Sequence, residues 1–193
     1  MASIIKVDDV QDAAGNNIIR EAADTITIGA SGDTITIPSG ATITNSGTAT
    51  GFGGGKVLQV VTGTTSTRVQ NSTDDMADTG LTVDITPAST DNKVLVFGTQ
   101  ADCFKSVDNG GSSIHIRLLR DASEVLDICD RALITDSTLE QMQNVSFTCL
   151  DSPSSTSALT YKTQFKNHAD LAYVAVQQQT AGNSTIIAME IEG

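Results

Sequence analysis

Residues 158–166 read ALTYKTQFK and residues 184–192 read STIIAMEIE. In the first run Leu159, Tyr161, Thr163 and Phe165 alternate with Thr160, Lys162, Gln164 and Lys166. In the second, Ile187, Met189 and Ile191 alternate with Ala188, Glu190 and Glu192. Side chains two apart on an extended chain share a face, so a period of two predicts strands. Working outward, similar runs recur near 56–62, 79–86, 93–104, 113–120, 123–129, 141–150 and 171–177, separated by turn residues. The stretch 131–141, RALITDSTLEQ, has room for one helical turn and too little apolar periodicity for more. Eight or nine strands with no helical period predict an all-β fold, an antiparallel jelly-roll β-sandwich over 56–193.

The totals bound the function classes. The 193 residues carry 11 Lys+Arg against 23 Asp+Glu, a formal net charge of −12. At 39% hydrophobic and 18% charged the chain has the apolar content a packed core needs, unlike a disordered polyanion. An acidic surface repels phosphate backbones, so no nucleic-acid partner is expected. No apolar run approaches the ~20 residues of a membrane-spanning helix, so no membrane insertion is expected. The start, MASIIKVDDVQDAAGNN, turns acidic too early for a signal peptide. Cys103, Cys129 and Cys149 are odd in number and form no Cys-x-x-Cys, which speaks against a disulfide framework or a zinc site. They read as small apolar side chains made in a reducing cytosol.

The distribution is uneven. Phe52 is the first aromatic residue, and 9 of the 16 Gly fall by Gly55. Thr-Ile-Thr units begin at Thr25, Thr34 and Thr42, with turn residues at 29–33 and 38–40 between them. A repeat of eight or nine residues is too short for a globular unit and fits a winding β-structure. Its apolar side chains are Ile26, Ile28, Ile35, Ile37 and Ile43. Full burial of all five contributes about 7–15 kcal/mol, while ordering more than twenty residues costs roughly 1–2 kcal/mol each. One such arm cannot stand alone; three wound together can bury the isoleucines on a common axis. Ahead of it, Gly15-Asn16 reads as a turn between strands Ile4 to Val10 and Ile18 to Arg20. Ile4, Ile5, Val7, Ile18 and Ile19 of that hairpin need something to pack on. Gly51-Phe52-Gly53-Gly54-Gly55 reads as a hinge, which divides the chain into 1–23, 24–50, 51–55 and 56–193.

Catalytic constellations are weak. His115 lies between Ile114 and Ile116 on a strand and reads as a polar-face histidine. His168 and Asp170 share a turn, but no nucleophile in a strained Gly-flanked turn accompanies them. Asp74, Asp75 and Asp78 lack EF-hand spacing for calcium. Asn71, Asn144 and Asn183 match a glycosylation pattern that a Ser/Thr-rich chain meets by chance. The expectation is no enzyme, no cofactor and no metal. The polar loops 107–112 and 151–157 are free of core duties, and loops on a rigid sandwich are where recognition sits. Asp108, Asn109, Ser112, Asp151, Ser154 and Ser155 are their candidate contact residues.

Five stretches carry a resemblance: KVDDVQDAAGNNII at 6–19, TITIGASGDTITIPSGATI at 25–43, GGGKVLQVV at 53–61, DTGLTVDITPASTDNKVLV at 78–96 and IRLLRD at 116–121. The chain resembles structural fibre proteins of tailed bacteriophages, particularly of marine phages infecting cyanobacteria and other marine bacteria. The resemblance implies a homotrimer located on the virion, with residues 1–23 attaching to other virion proteins. It further implies a thin β shaft and a distal knob that meets a host-surface glycan or protein. It transfers no catalytic residue. A capsid decoration or head fibre of purely structural role, and a polysaccharide depolymerase, are the alternatives.

Overall fold

The computed structural model describes residues 9–11, 13–15, 17–22, 25–29, 31–42, 44, 46, 56–106, 111–135, 139–168, 172–179 and 182–193. For Asp9, Asn17, Ile18 and residues 20–22 it describes the backbone alone. Among the described residues every regular element is a strand, and no helix is long and apolar enough to cross a membrane. The chain divides into two compact units, 1–50 and 51–193.

In the first unit β1 (Asp9–Gln11), β2 (Asn17–Ala22) and β3 (Thr25–Ile28) form an antiparallel sheet in that order. Gly15, at φ 86°, supplies the left-handed position that the β1–β2 turn requires. The first Thr-Ile-Thr unit is β3, and it pairs with β2 in its own chain, Ile28 opposite Ile19 and Ile26 opposite Glu21. The second unit, 34–37, forms no strand. An extended segment becomes a strand only where a neighbouring edge takes its N–H and C=O groups, and 34–37 has no such edge. Among the described residues the Thr-Ile-Thr units thus give one strand, β3, and Ile43 of the third unit lies outside them. Ile26, Ile28, Ile35 and Ile37 are all exposed in the single chain. Ile43, Ile4, Ile5 and Val7 lie outside the described residues, and Ile18 is described by its backbone only.

The second unit holds β4 (Val57–Thr65), β5 (Val69–Asn71), β6 (Ala77–Ile85), β7 (Lys93–Lys105), β8 (Ile114–Arg120), β9 (Ser123–Ala132), β10 (Gln141–Asp151), β11 (Leu159–Asn167), β12 (Val174–Val176) and β13 (Ser184–Ile191). One sheet runs β4-β13-β7-β12-β5, with β10 also on β7; the other runs β6-β11-β8-β9. Strands β13 and β12 share one edge of β7, at residues 93–99 and 104–105, and β10 takes the other. All of these pairings are antiparallel. Alternation explains the core: Leu81, Val83 and Ile85 of β6 and Leu159 and Tyr161 of β11 meet Val94 and Val96 of β7 and Ile186 and Ala188 of β13. A second cluster gathers Cys103, Ile114, Ile116, Phe165, Val174 and Val176. Each such side chain stabilises by about 1.5–3 kcal/mol on full burial.

Two details depart from the sequence reading. Ala101 and Asp102 face the single residue Asn144, a bulge in which Asp102 takes φ 46° and donates its N–H to the Asn144 Oδ1 at 2.9 Å. The extra residue moves the inward face of β7 from even to odd numbers, which is how Cys103 reaches the core. The short strand β5, three residues between turns, was not expected at all. The helical turn considered for 131–141 is replaced at its start by the end of β9 and by Leu133 at φ 65°.

Candidate interaction face

The two outer faces of the sandwich differ in kind. On the β6-β11-β8-β9 sheet the outward face carries charged side chains in mutual pairs. Lys162 Nζ lies 3.0 Å from Asp78 Oδ2, Lys166 Nζ 2.7 Å from Asp74 Oδ1, and Arg117 3.0 Å from Glu124 Oε2. His115 belongs to this face as expected, its Nε2 3.1 Å from Asp127 Oδ1. Asp130 Oδ1 stands 3.6 Å from His115 Nδ1 and 3.5 Å from His168 Nδ1, while Arg131 reaches His168 Nε2 at 2.6 Å. The structure thus joins His168 to His115 and Asp130; Asp170 lies outside the described residues. Among the described residues no group of three or more His, Cys, Asp and Glu is arranged to hold a metal ion. The Lys166 ammonium holds the Asp74 carboxyl below its ordinary value, and Asp78 is lowered, against its partial burial, by Gln164 and Lys162.

The other sheet turns an apolar face outward. Its register sets residues from four strands side by side: Val60, Met189, Leu95 and Leu150 in one row, Thr62, Ile187, Phe97 and Thr148 in the next. Thr64, Thr185, Thr99 and Ser146 make a third row, and Val57, Ile191 and Lys93 close the opposite end. Val60 is 52% and Leu150 55% exposed. Between Phe97, Thr99, Ser146, Thr148, Thr185 and Ile187 lies a shallow hollow of about 320 Å³. No acidic residue stands in these rows, on a chain of net charge −12.

Strand β13 shows how this arises. Its inward residues are Ile186, Ala188 and Glu190, so Ile187, Met189 and Ile191 point away from the core. Glu190, 1% exposed, accepts hydrogen bonds from Gln59 Nε2 and Asn92 Nδ2, both at 2.5 Å, and from the Ala88 N–H at 2.7 Å. Burial works to raise its carboxyl, but these donors outweigh it and hold it below the ordinary value. With the acid satisfied inside, the stripe of larger apolar side chains is left on the surface. The sequence shows that stripe but not its direction.

The loop residues fare unevenly. Ser112 is buried, a correction to its reading as a projecting contact: it lies two residues before β8, next to the equally buried Ser113. Asp151 is held, its Oδ2 2.6 Å from both Arg120 and the Tyr161 hydroxyl. Burial and that carboxylate push the Tyr161 hydroxyl well up. Ser154 is exposed at φ 48°, Ser155 is half-buried with its Oγ accepting the Ser157 N–H at 3.1 Å, and Asp108 and Asn109 lie outside the described residues. All three cysteines are free thiols, and burial raises each of them.

No family model matches the chain, and no curated protein matches it. Among solved structures it is similar to one described as "Structure of infectious bursal disease virus Gt strain", at 11% identity and a TM-score of 0.38. That likeness covers 86% of this chain and 46% of the other, so the chain spans about half the length of the protein it matches.

Proposed function

We propose that the chain is a non-enzymatic virion structural fibre protein, a homotrimer that attaches to the particle by its N-terminus and adsorbs to the host surface through its sandwich. The observation that carries this reading is the arm's isoleucines: Ile26 is 69%, Ile28 56%, Ile35 58% and Ile37 48% exposed. A single chain leaves at fixed phase the side chains that further copies of it would cover. The strand orders support a jelly roll for the knob: from β5 to β12 successive strands alternate between the two sheets except at β8 and β9, and the first strand of the unit, β4, pairs with the last, β13. The resemblance of residues 6–19, 25–43, 53–61, 78–96 and 116–121 to phage fibre proteins supports the virion setting. Three weak sites on one trimer, repeated around a particle, raise avidity by about 10²–10⁴ without tight single contacts. Ser154, exposed in loop 151–157, together with Asp108 and Asn109, is where the reading puts the contact with a host glycan or protein.

Light scattering on the full chain tests it. The expected mass is three times the 20.1 kDa chain, and a monodisperse monomer sinks the proposal. Gold-labelled antibody on intact particles then separates a tail fibre from a capsid decoration.

A further inference from the structure

We propose that the outer face of β4, β13, β7 and β10 is a docking surface for a second copy of this chain. Four strands at about 4.8 Å spacing and eight residues at about 3.3 Å rise give the face roughly 500 Å² in plan. Eight of its fifteen residues are apolar, so its apolar part is roughly half of that, near the lower end of the ~300–600 Å² typical of the largest apolar patch on a lone soluble protein, patches that are often functional. The row Val60, Met189, Leu95 and Leu150, with Ile187 and Phe97 of the next row, forms an apolar centre, and the Thr and Ser row beyond them forms a polar rim along one side. An apolar centre with a polar rim is the anatomy of a specific interface.

Charge chooses the occupant. Two molecules of net charge −12 repel over most of their surfaces, and the opposite sheet is crowded with carboxylates. The apolar face carries no acid and only Lys93, so two copies approach there without opposition. A membrane surface would call for a basic border, which a single lysine does not make. The hollow beside Phe97 gives an apolar side chain of the second copy a socket, the arrangement in which a few anchors dominate binding. The inference rests on the homotrimer reading for the number of copies and not for the face itself.

The test replaces Phe97 in the full chain with the photo-cross-linking analogue p-benzoylphenylalanine and maps the products. Chain-to-chain cross-links ending in β4, β7, β10 or β13 of a second copy are expected. A multimer whose cross-links end elsewhere, or that gives none, overturns the inference and leaves the trimer standing. A mass of two chains with cross-links inside the face does the reverse, and a monomer at all concentrations sinks both. Lipid adducts in place of chain-to-chain products, formed in the presence of phosphatidylcholine vesicles, would assign the face to a membrane and overturn it. In parallel, Val60→Glu with Leu150→Glu sets like charges against each other and should weaken self-association by about 100-fold or more. Circular dichroism checks that the double variant is folded, and if it is not, the cross-link map decides alone.

Discussion

Glu190 keeps a charge inside the sandwich because three donors reach it, and its titration therefore belongs to the folding equilibrium. In the folded chain its carboxyl titrates below the ordinary value of 4.5, and in the unfolded chain it reverts to that value. The stability it contributes is whole above pH 4.5 and disappears as the pH falls through the lowered folded value. Glu190→Gln turns an amide N–H₂ toward donors that expect an acceptor. It should cost about 2 kcal/mol near neutral pH, read as a lower urea midpoint. The variant's stability should also fall less steeply than that of the parent as the pH drops below 4.5. An unchanged acid slope would show that the carboxylate is not held as described. A second buried polar seam is neutral: Ser184 Oγ accepts the Ala101 N–H at 2.8 Å and Gln100 Nε2 at 3.0 Å, and Gln100 Oε1 accepts from Thr163 at 3.0 Å.

At the scale of elements, the two sheets come close where β4 meets β6. A Cβ on Gly63 would stand 1.8 Å from the Thr82 carbonyl oxygen and 3.2 Å from Ile186 Cγ2. The obstacle is backbone, which cannot rotate aside, so Gly63→Ala must separate the strands. It should destabilise the fold by about 1–3 kcal/mol or more, with the loss seen in the denaturation midpoint; a neutral result would mean that β4 and β6 lie farther apart than described. Most strands of the sandwich were legible because alternation survives in a half-buried strand, as in β11, where Leu159, Tyr161, Thr163 and Phe165 all turn inward. What alternation leaves open is direction and interruption. In β13 the smaller residues and an acid face inward, because neighbouring side chains, distant in sequence, satisfy Glu190. In β7 the bulge at Ala101 and Asp102 swaps the faces, and nothing in those two residues announces it. In the arm, period-2 alternation at 34–37 predicts a strand that its own chain does not pair. A small polar residue beside Gly, such as Ser112, has the same sequence signature whether it is buried or exposed.

At the scale of the whole molecule, the strands fall into two sets, β1 to β3 pairing with one another and β4 to β13 likewise. Both hydrophobic clusters lie within the second set. Residues 56–193 produced alone should therefore keep the unfolding free energy of the full chain in urea, measured at the same high dilution, within about 0.5 kcal/mol. Association should separate the two forms. The arm offers apolar side chains of its own, and joining two weak contacts in one chain turns the second into an intramolecular step. Effective concentrations of that kind strengthen assembly by about 10²–10⁴. The full chain should then remain multimeric to at least about 100-fold lower concentration than residues 56–193, followed by sedimentation across a dilution series. Equal dissociation ranges would mean that the exposed isoleucines of the arm contribute nothing to assembly. Loss of all association in the full chain on Ile26→Asp with Ile28→Asp would instead place the whole of it in the arm. The outcome consistent with both surfaces is intermediate: the arm variant and the truncated chain dissociate over the same range, and Val60→Glu with Leu150→Glu in either one removes what remains.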